Sequence, residues 1–471
     1  MEPRESQASS DVSLAEEPRI SRVAARLDRI PVLFRHWQLV LLGQFMWGSV
    51  LLLDTMAARI YPVYWGPKHI ITQTQYSVLV GAATGAGPLL GGVLFGYLAD
   101  RYGRKRIMIV SCAVAGLIAW PAAFTKSWPL LLACVGISAL GIGGALAIVP
   151  SYNSEWCPPT SRNRLMLGSQ VLSQMMLAFL GTALALVFLP QNFVVYVFVL
   201  AGMPLVTIPL IMLTMPESAR WLEDHGRYGE ADAIVSKMEA KALAKHGELA
   251  EPDYEAHRIV DTAKVRMTDV FRGHYLRRTM VILTVWVFFY FGPGGGFTPF
   301  QGVYIVSKGF SASQLFTILM IGGIGGVVGV FLAAVLNERF ERRQLVLFAS
   351  LVFTAGVVFY LVGGKSYGML VIGTILAMFG FGVMLNNLYN YSAAIYPTRM
   401  RSVGTGWADG VGHVSAVFGP LIAGAFYSGT AGANHVGWFG WFVIVGTLAP
   451  AFILYRFGGN QRSISLEKSS S

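Results

Sequence analysis

Apolar residues run along this chain in blocks, each close to the ~20 residues that an α-helix needs to cross a bilayer. Six blocks lie near 38–62, 75–98, 106–125, 128–150, 165–188 and 192–214. Six more lie near 279–304, 313–336, 345–363, 367–391, 402–427 and 436–457. The pattern predicts an all-α integral membrane protein of twelve transmembrane helices in two pseudo-symmetric six-helix bundles. The expected divisions are a tail over 1–36, a first bundle over 37–216, a linker over 217–278, a second bundle over 279–457 and a tail over 458–471.

Cations are shared unequally between the loops. Those joining odd to even helices carry Lys68, Lys126, Lys308 or Lys365, at most one each. Those joining even to odd helices carry Arg101/Arg104/Lys105/Arg106, Arg162/Arg164, Arg339/Arg342/Arg343 and Arg399/Arg401, and the stretch from Pro216 to Arg278 carries many more. Cationic loops stay in the cytoplasm, so both termini are expected there, in a plasma membrane such as a bacterial inner membrane.

The chain also repeats itself. Asp100-Arg-x-Gly-Arg-Lys is echoed by Glu338-Arg-x-Glu-Arg-Arg, an offset of 338 − 100 = 238. Glu155-x-x-Pro158 is echoed by Ala394-x-x-Pro397, an offset of 239. Parallel halves of this kind bury a substrate site between them at mid-membrane.

Composition agrees with the pattern and removes rivals. The chain is 54% hydrophobic and 13% charged, with mean hydropathy +0.55, a balance suited to lipid as solvent. Its net charge of +11 sits in loops, without a basic face interleaved with aromatics, so nucleic acid is not an expected partner. The expected partners are a small-molecule substrate, a proton and the bilayer, with the chain a monomer. Cys112, Cys134 and Cys157 have no metal-ligand spacing and read as packing residues. No nucleophile constellation or phosphate-binding loop appears, so neither an enzyme nor a cofactor is expected. Residues 20–27 place Ile20, Val23, Ala24 and Leu27 on one helical face, with Arg22, Arg26 and Arg29 opposite. An interfacial membrane helix and an unstructured basic tail both fit. Residues 223–270 read as a charged helical linker, broken at Glu251-Pro252.

Four loop motifs carry a family resemblance. Gly96-Tyr97-Leu98-Ala99-Asp100-Arg101-Tyr102-Gly103-Arg104-Lys105 resembles the signature loop between the second and third helices of the major facilitator superfamily. Pro216-Glu217-Ser218-Ala219-Arg220-Trp221-Leu222 and Pro150-Ser-Tyr152-Asn-Ser-Glu155, with Arg162 downstream, are similar to motifs of sugar porters and organic-ion carriers. Tyr396-Pro397-Thr398-Arg399-Met-Arg401, with Gly404, Gly406 and Trp407, resembles aromatic-acid and metabolite:proton symporters. The resemblance implies alternating access, with an inner gate of Asp100, Arg101, Arg104, Glu155, Arg162, Glu217 and Arg220. There are departures from the sugar-porter pattern. Val135 stands where helix four is expected to carry arginine, and Phe291–Pro299 replaces the Q-x-S-G run of helix seven. Glu341 replaces a glycine, Ala394 a glutamate and His413 an arginine.

Ionisable groups inside spans are functional candidates by default. Asp54 resembles the second aspartate of the D-G-x-D motif of aromatic-acid symporters; a carboxylate among apolar side chains suits a proton carrier, and a structural pair with Arg59 is the alternative. Arg59 is a candidate for binding a substrate carboxylate bidentately, or for snorkelling to the outer headgroups. Asp409 and His413, at i and i+4, form a candidate proton relay, against an inner bridge from Asp409 to Arg401. Gln170 with Gln174, and Asn386 with Tyr389 and Asn390, share helix faces suited to polar recognition. Tyr290, Phe297, Phe300 and Tyr304 suit stacking on an aromatic substrate, or packing. The expected function is proton-coupled import of a small organic anion such as an aromatic or nicotinate-like carboxylate. The rivals are a sugar or polyol carrier, a drug:proton antiporter, and a transport-inactive receptor of the kind the synaptic vesicle glycoproteins resemble.

Overall fold

Hydrocarbon offers backbone N–H and C=O groups no partner, so a chain that crosses it repeatedly satisfies them inside helices. The computed structural model describes residues 19–255, 258–259, 266–273, 275–337, 339–396, 398–427 and 434–459. Glu338, Pro397 and the side chains of Ala394, Arg399 and Arg401 lie outside the described residues. Among the described residues, eleven helices are long and apolar enough to cross a membrane. They are Phe34–Asp54, Gln73–Tyr102, Arg104–Ala123, Trp128–Trp156, Arg164–Phe188, Phe193–Thr214, Tyr275–Ser307, Ala312–Leu336, Arg342–Gly363, Tyr367–Ser392 and Gly437–Phe457. The remaining span, eleventh in chain order, is Thr398–Tyr427, which carries Asp409 and His413. These are the twelve helices of a major facilitator fold.

The repeat is visible in the caps. Thr72 with Gln75 and Ser311 with Gln314 form capping boxes that start spans two and eight, and 311 − 72 = 239. Gly103 ends span two and caps span three at φ 107°, a conformation that excludes most side chains. Four spans are irregular: π-turns occupy Tyr61–Trp65 in span one, Ala82–Ala86 in span two, Met176–Leu180 in span five and Tyr290–Phe297 in span seven. Such turns re-aim side chains, and each of these lies in a helix that faces the other half.

The halves meet most closely at the end away from the charged loops. A Cβ on Gly81 would lie 2.6 Å from the Val417 carbonyl, and one on Gly85 2.5 Å from its nitrogen. The Tyr76 hydroxyl donates to the Pro299 carbonyl (2.7 Å), and Gly323 of span eight lies against Ala178 of span five. Toward the charged end, spans two and eleven part. A Cβ on Gly410 would touch only Leu89, and Gly96 and Gly406 have nothing within 4 Å.

The N-terminal segment is neither an interfacial helix nor unstructured. Arg22–Asp28 is a helix whose Val23, Ala24, Ala25 and Leu27 are buried. It docks on the linker helices Ala219–Asp224 and Tyr228–His246. Glu239 accepts from Arg26 (2.6 Å) and Arg29 (2.6 Å), Asp232 from Arg26 (2.5 Å), and Asp28 pairs with Arg220 (2.5 Å). Glu223 takes the Ser21 hydroxyl (2.6 Å) and the Val23 N–H (3.0 Å). The apolar stripe thus finds the linker rather than lipid.

Burial pushes the Glu239 carboxyl up, but the two arginines outweigh it and hold the group below its ordinary 4.5. A depressed carboxylate contributes stability above pH 4.5 that is lost as pH falls through the lowered value. Protection from hydrogen exchange at residues 22–30, relative to the intrinsic rate at each pH, is therefore expected to hold from pH 7 to about 5 and to fall below about 4.5. Glu239→Gln should open the segment already at pH 7.

Candidate functional site

The irregular turn in span seven brings Tyr290 to the interface between the halves. Trp286 lies one turn earlier, and its ring approaches those of Tyr290 (6.0 Å) and Tyr389 (4.7 Å) while its indole N–H donates to Ser392 (2.9 Å). The Tyr389 hydroxyl donates to Asp409 (2.9 Å), and His413 Nε2 stands 3.7 Å from the other oxygen of that carboxylate. The His413 ring lies 5.1 Å from the ring of Tyr290. Its Nδ1–H donates across to the Thr84 carbonyl in the π-turn of span two (3.2 Å). A carbonyl only accepts, so Nδ1 carries a proton and Nε2 is the nitrogen free to gain or lose one.

Asp54, last residue of the first segment of span one, belongs to the other half. Both Asp54 and Asp409 lie within electrostatic reach of Tyr290. Asp54 Oδ1 is buried without a hydrogen bond. Tyr389, three residues before the end of span ten, is 43% exposed, and the Asp409 side chain is 41% exposed. Sequence reasoning gave two separate proton sites, Asp54 or Asp409 with His413; the fold sets both carboxylates within electrostatic reach of one tyrosine. It missed Trp286, whose i, i+4 spacing to Tyr290 was the available signal.

Several candidates lie elsewhere. Arg59 is buried and does not snorkel: its guanidinium donates to the Leu177 carbonyl (2.8 Å), lies against Gly181, and comes within reach of Tyr196. It does not pair with Asp54. Tyr304 donates to the Tyr360 carbonyl of span nine (2.6 Å). Phe297 and Phe300 pack in the core beside it. Asn386 is buried and bonds its own helix at Gly382 (2.9 Å), leaving Asn390 half-buried. Gln170 and Gln174 are half-buried on span five.

The gate residues divide too. Arg104 pairs with Asp100 and with Glu155 (3.4 Å), and Arg220 donates to the Glu155 carbonyl (3.3 Å) besides pairing with Asp28. Among the described residues Glu217 pairs with no arginine; it accepts the backbone N–H groups of Lys105 (3.1 Å) and Ser218 (2.9 Å). Arg101 is exposed and reaches only tyrosines, and Arg162 donates to the Cys157 carbonyl (3.4 Å), so neither joins the carboxylates. Asp28 was missed, because nothing local marks it as Arg220's partner. The three cysteines are free and buried, and burial pushes the Cys157 thiol up to about 11, against Arg162.

The family described as "Sugar (and other) transporter" matches residues 37–468. The chain is 28% identical to the niacin transporter NiaP of Acinetobacter baylyi, over 81% of this chain and 84% of that one. It is 25% identical to the 4-hydroxybenzoate transporter PcaK of the same organism, over 76% and 77%. Its fold is similar to that of the xylose transporter XylE from E. coli in a partially occluded inward-open conformation. The TM-score is 0.67 at 16% identity, covering 92% of this chain and 99% of that one.

Because Arg59 is held by span five, Gly181→Ala should displace its guanidinium and lower stability by about 1–3 kcal/mol. Thermal unfolding in detergent reads the loss. Ligand affinity should change less than about twofold, and a large affinity loss at unchanged stability would return Arg59 to the binding site.

Proposed function

The chain belongs to the family of sugar (and other) transporters, and from that premise we propose that it is a proton-coupled symporter taking up a small aromatic carboxylate by alternating access. The observation that carries the reading is that Asp54 of one half and Asp409 of the other both lie within electrostatic reach of the Tyr290 phenol. An organic anion entering beside two carboxylates in a low-dielectric site meets like-charge repulsion. Taking up a proton there removes a negative charge, so anion and proton bind best together. The loaded site carries less net charge, and the halves close over it at lower cost.

Recognition divides between planes and donors. Trp286, Tyr290 and Tyr389 offer ring faces and edges to an aromatic substrate. Gln170 and Gln174 from one half and Asn390 from the other offer amides to its carboxylate, and protonated His413 adds a cation. The names of the relatives, niacin and 4-hydroxybenzoate transporters, favour this substrate class. A sugar or polyol is the second reading, favoured by the Gln170 amide and the family's description.

In this reading the charged end is cytoplasmic, the described conformation faces inward, and the chain works as a monomer in a plasma membrane, such as a bacterial inner membrane. Asp100, Arg104, Glu155, Arg220 and Asp28 form a solvent-accessible network that biases the conformational equilibrium more than it adds stability.

Two experiments test the reading. Nicotinate or 4-hydroxybenzoate should raise the unfolding midpoint of the purified protein where xylose does not; the reverse would favour the sugar reading. In proteoliposomes, Asp54→Asn mimics the protonated carboxyl. It should keep counterflow within about threefold of the unaltered protein yet lose accumulation driven by a pH gradient. If accumulation persists, the proton site is Asp409 with His413.

A further inference from the structure

The repeat relating the two halves builds two matched cationic corners at the charged end, whose described carboxylates differ; Glu338, which matches Asp100, lies outside the described residues. In the first half, Arg104 has Asp100 and Glu155, while Glu217 takes the backbone N–H of Lys105. At the repeat offset, Arg342 matches Arg104 and Arg343 matches Lys105, but Ala394 stands where Glu155 would be. After span twelve the chain reads Gly458-Gly459-Asn460, where Pro216-Glu217-Ser218 follows span six.

The second corner is rich in guanidinium groups. Arg343 donates to the carbonyls of Gly458 (2.9 Å) and Tyr455 (3.3 Å). Arg277 and Arg456 lie over the Phe457 ring, at 5.8 Å and 5.6 Å. Arg278 and Arg343 both act electrostatically on Tyr391. The Nε atoms of Arg342 and Arg343 are buried without a hydrogen bond. Among the described residues no carboxylate comes within 4.0 Å of Arg277, Arg278, Arg342, Arg343 or Arg456. Glu341 acts on Arg342 only at longer range. Beside this corner Phe340, Tyr455 and Phe457 are 50%, 41% and 48% exposed.

We propose that this corner binds the headgroup of an anionic phospholipid, which supplies the negative charge that Glu155 and Glu217 supply in the first half. The site lies where span nine begins and span twelve ends, the depth of the headgroup layer in a bilayer-crossing bundle. Guanidinium forks match phosphate oxygens bidentately. The exposed aromatic rings lie where acyl chains would run from that headgroup. A soluble phosphate shares the oxygen chemistry but has nothing to set against those rings.

The test uses the full chain in detergent, incubated with phosphatidylglycerol or phosphatidylcholine, with native mass spectrometry counting retained lipid. The unaltered protein should retain phosphatidylglycerol preferentially. Each arginine near a membrane surface is worth about a fivefold change in affinity. The pair Arg277→Gln/Arg343→Gln should therefore weaken phosphatidylglycerol retention about thirtyfold. Arg343 also caps the end of span twelve, so the exposed pair Arg277→Gln/Arg456→Gln provides a second variant that leaves those bonds intact. Lys241→Gln, on the linker, is the control and should change nothing. Equal retention of the two lipids, or full retention by the second pair, overturns the proposal. So does inorganic phosphate that displaces phosphatidylglycerol and raises the unfolding midpoint as much, since that assigns the corner to a soluble anion.

Discussion

Where Gly81 and Gly85 of span two meet the backbone of Val417 in span eleven, no side chain separates the helices, and this contact governs what the rest of the molecule does. In lipid, helices gain little from hiding apolar surface, because the solvent is apolar too. They associate where small residues let backbones approach and dispersion contacts multiply. The contact closes the end with fewer cations. Toward the cationic end it gives out, with only Leu89 near Gly410 and nothing within 4 Å of Gly406. His413 is anchored at the margin of the closed region through Thr84, so closure and the titratable cluster share a residue.

The cost of stranding charge in an apolar bundle explains why two ionisable residues of span one meet different fates. Arg59 is enclosed and takes a backbone carbonyl of span five, with Gly181 leaving room for its guanidinium. It serves as a structural cross-link. Asp54 is given no such partner and lies instead near a phenol from the opposite half. A group left unsatisfied where the halves meet is one whose protonation the conformational change can sense.

At the charged end, the N-terminal helix ties the linker to the first bundle. Asp28 holds Arg220, Arg220 also reaches the Glu155 carbonyl, and Glu155 meets Arg104. The network runs from the N-terminal helix to the start of span three.

Much of this was legible in the residue order, because it is local. Span length, loop charge, the 238–239 offset and the i, i+4 pairing of Asp409 with His413 all follow from helix geometry and the bilayer's thickness. Gly103 was readable for the same reason: a turn between two helices needs its positive φ. What the residue order left open is how each helix is rotated and what it meets. Arg59 turned into span five, Tyr304 toward span nine, Arg101 and Arg162 away from the carboxylates, and Arg26 and Arg29 onto Glu239. An apolar helix in an apolar solvent carries weak amphipathic information, so its rotation is decided by steric fit with neighbours distant in sequence. The same fit set Asp54 and Asp409, from opposite halves, within electrostatic reach of a single tyrosine.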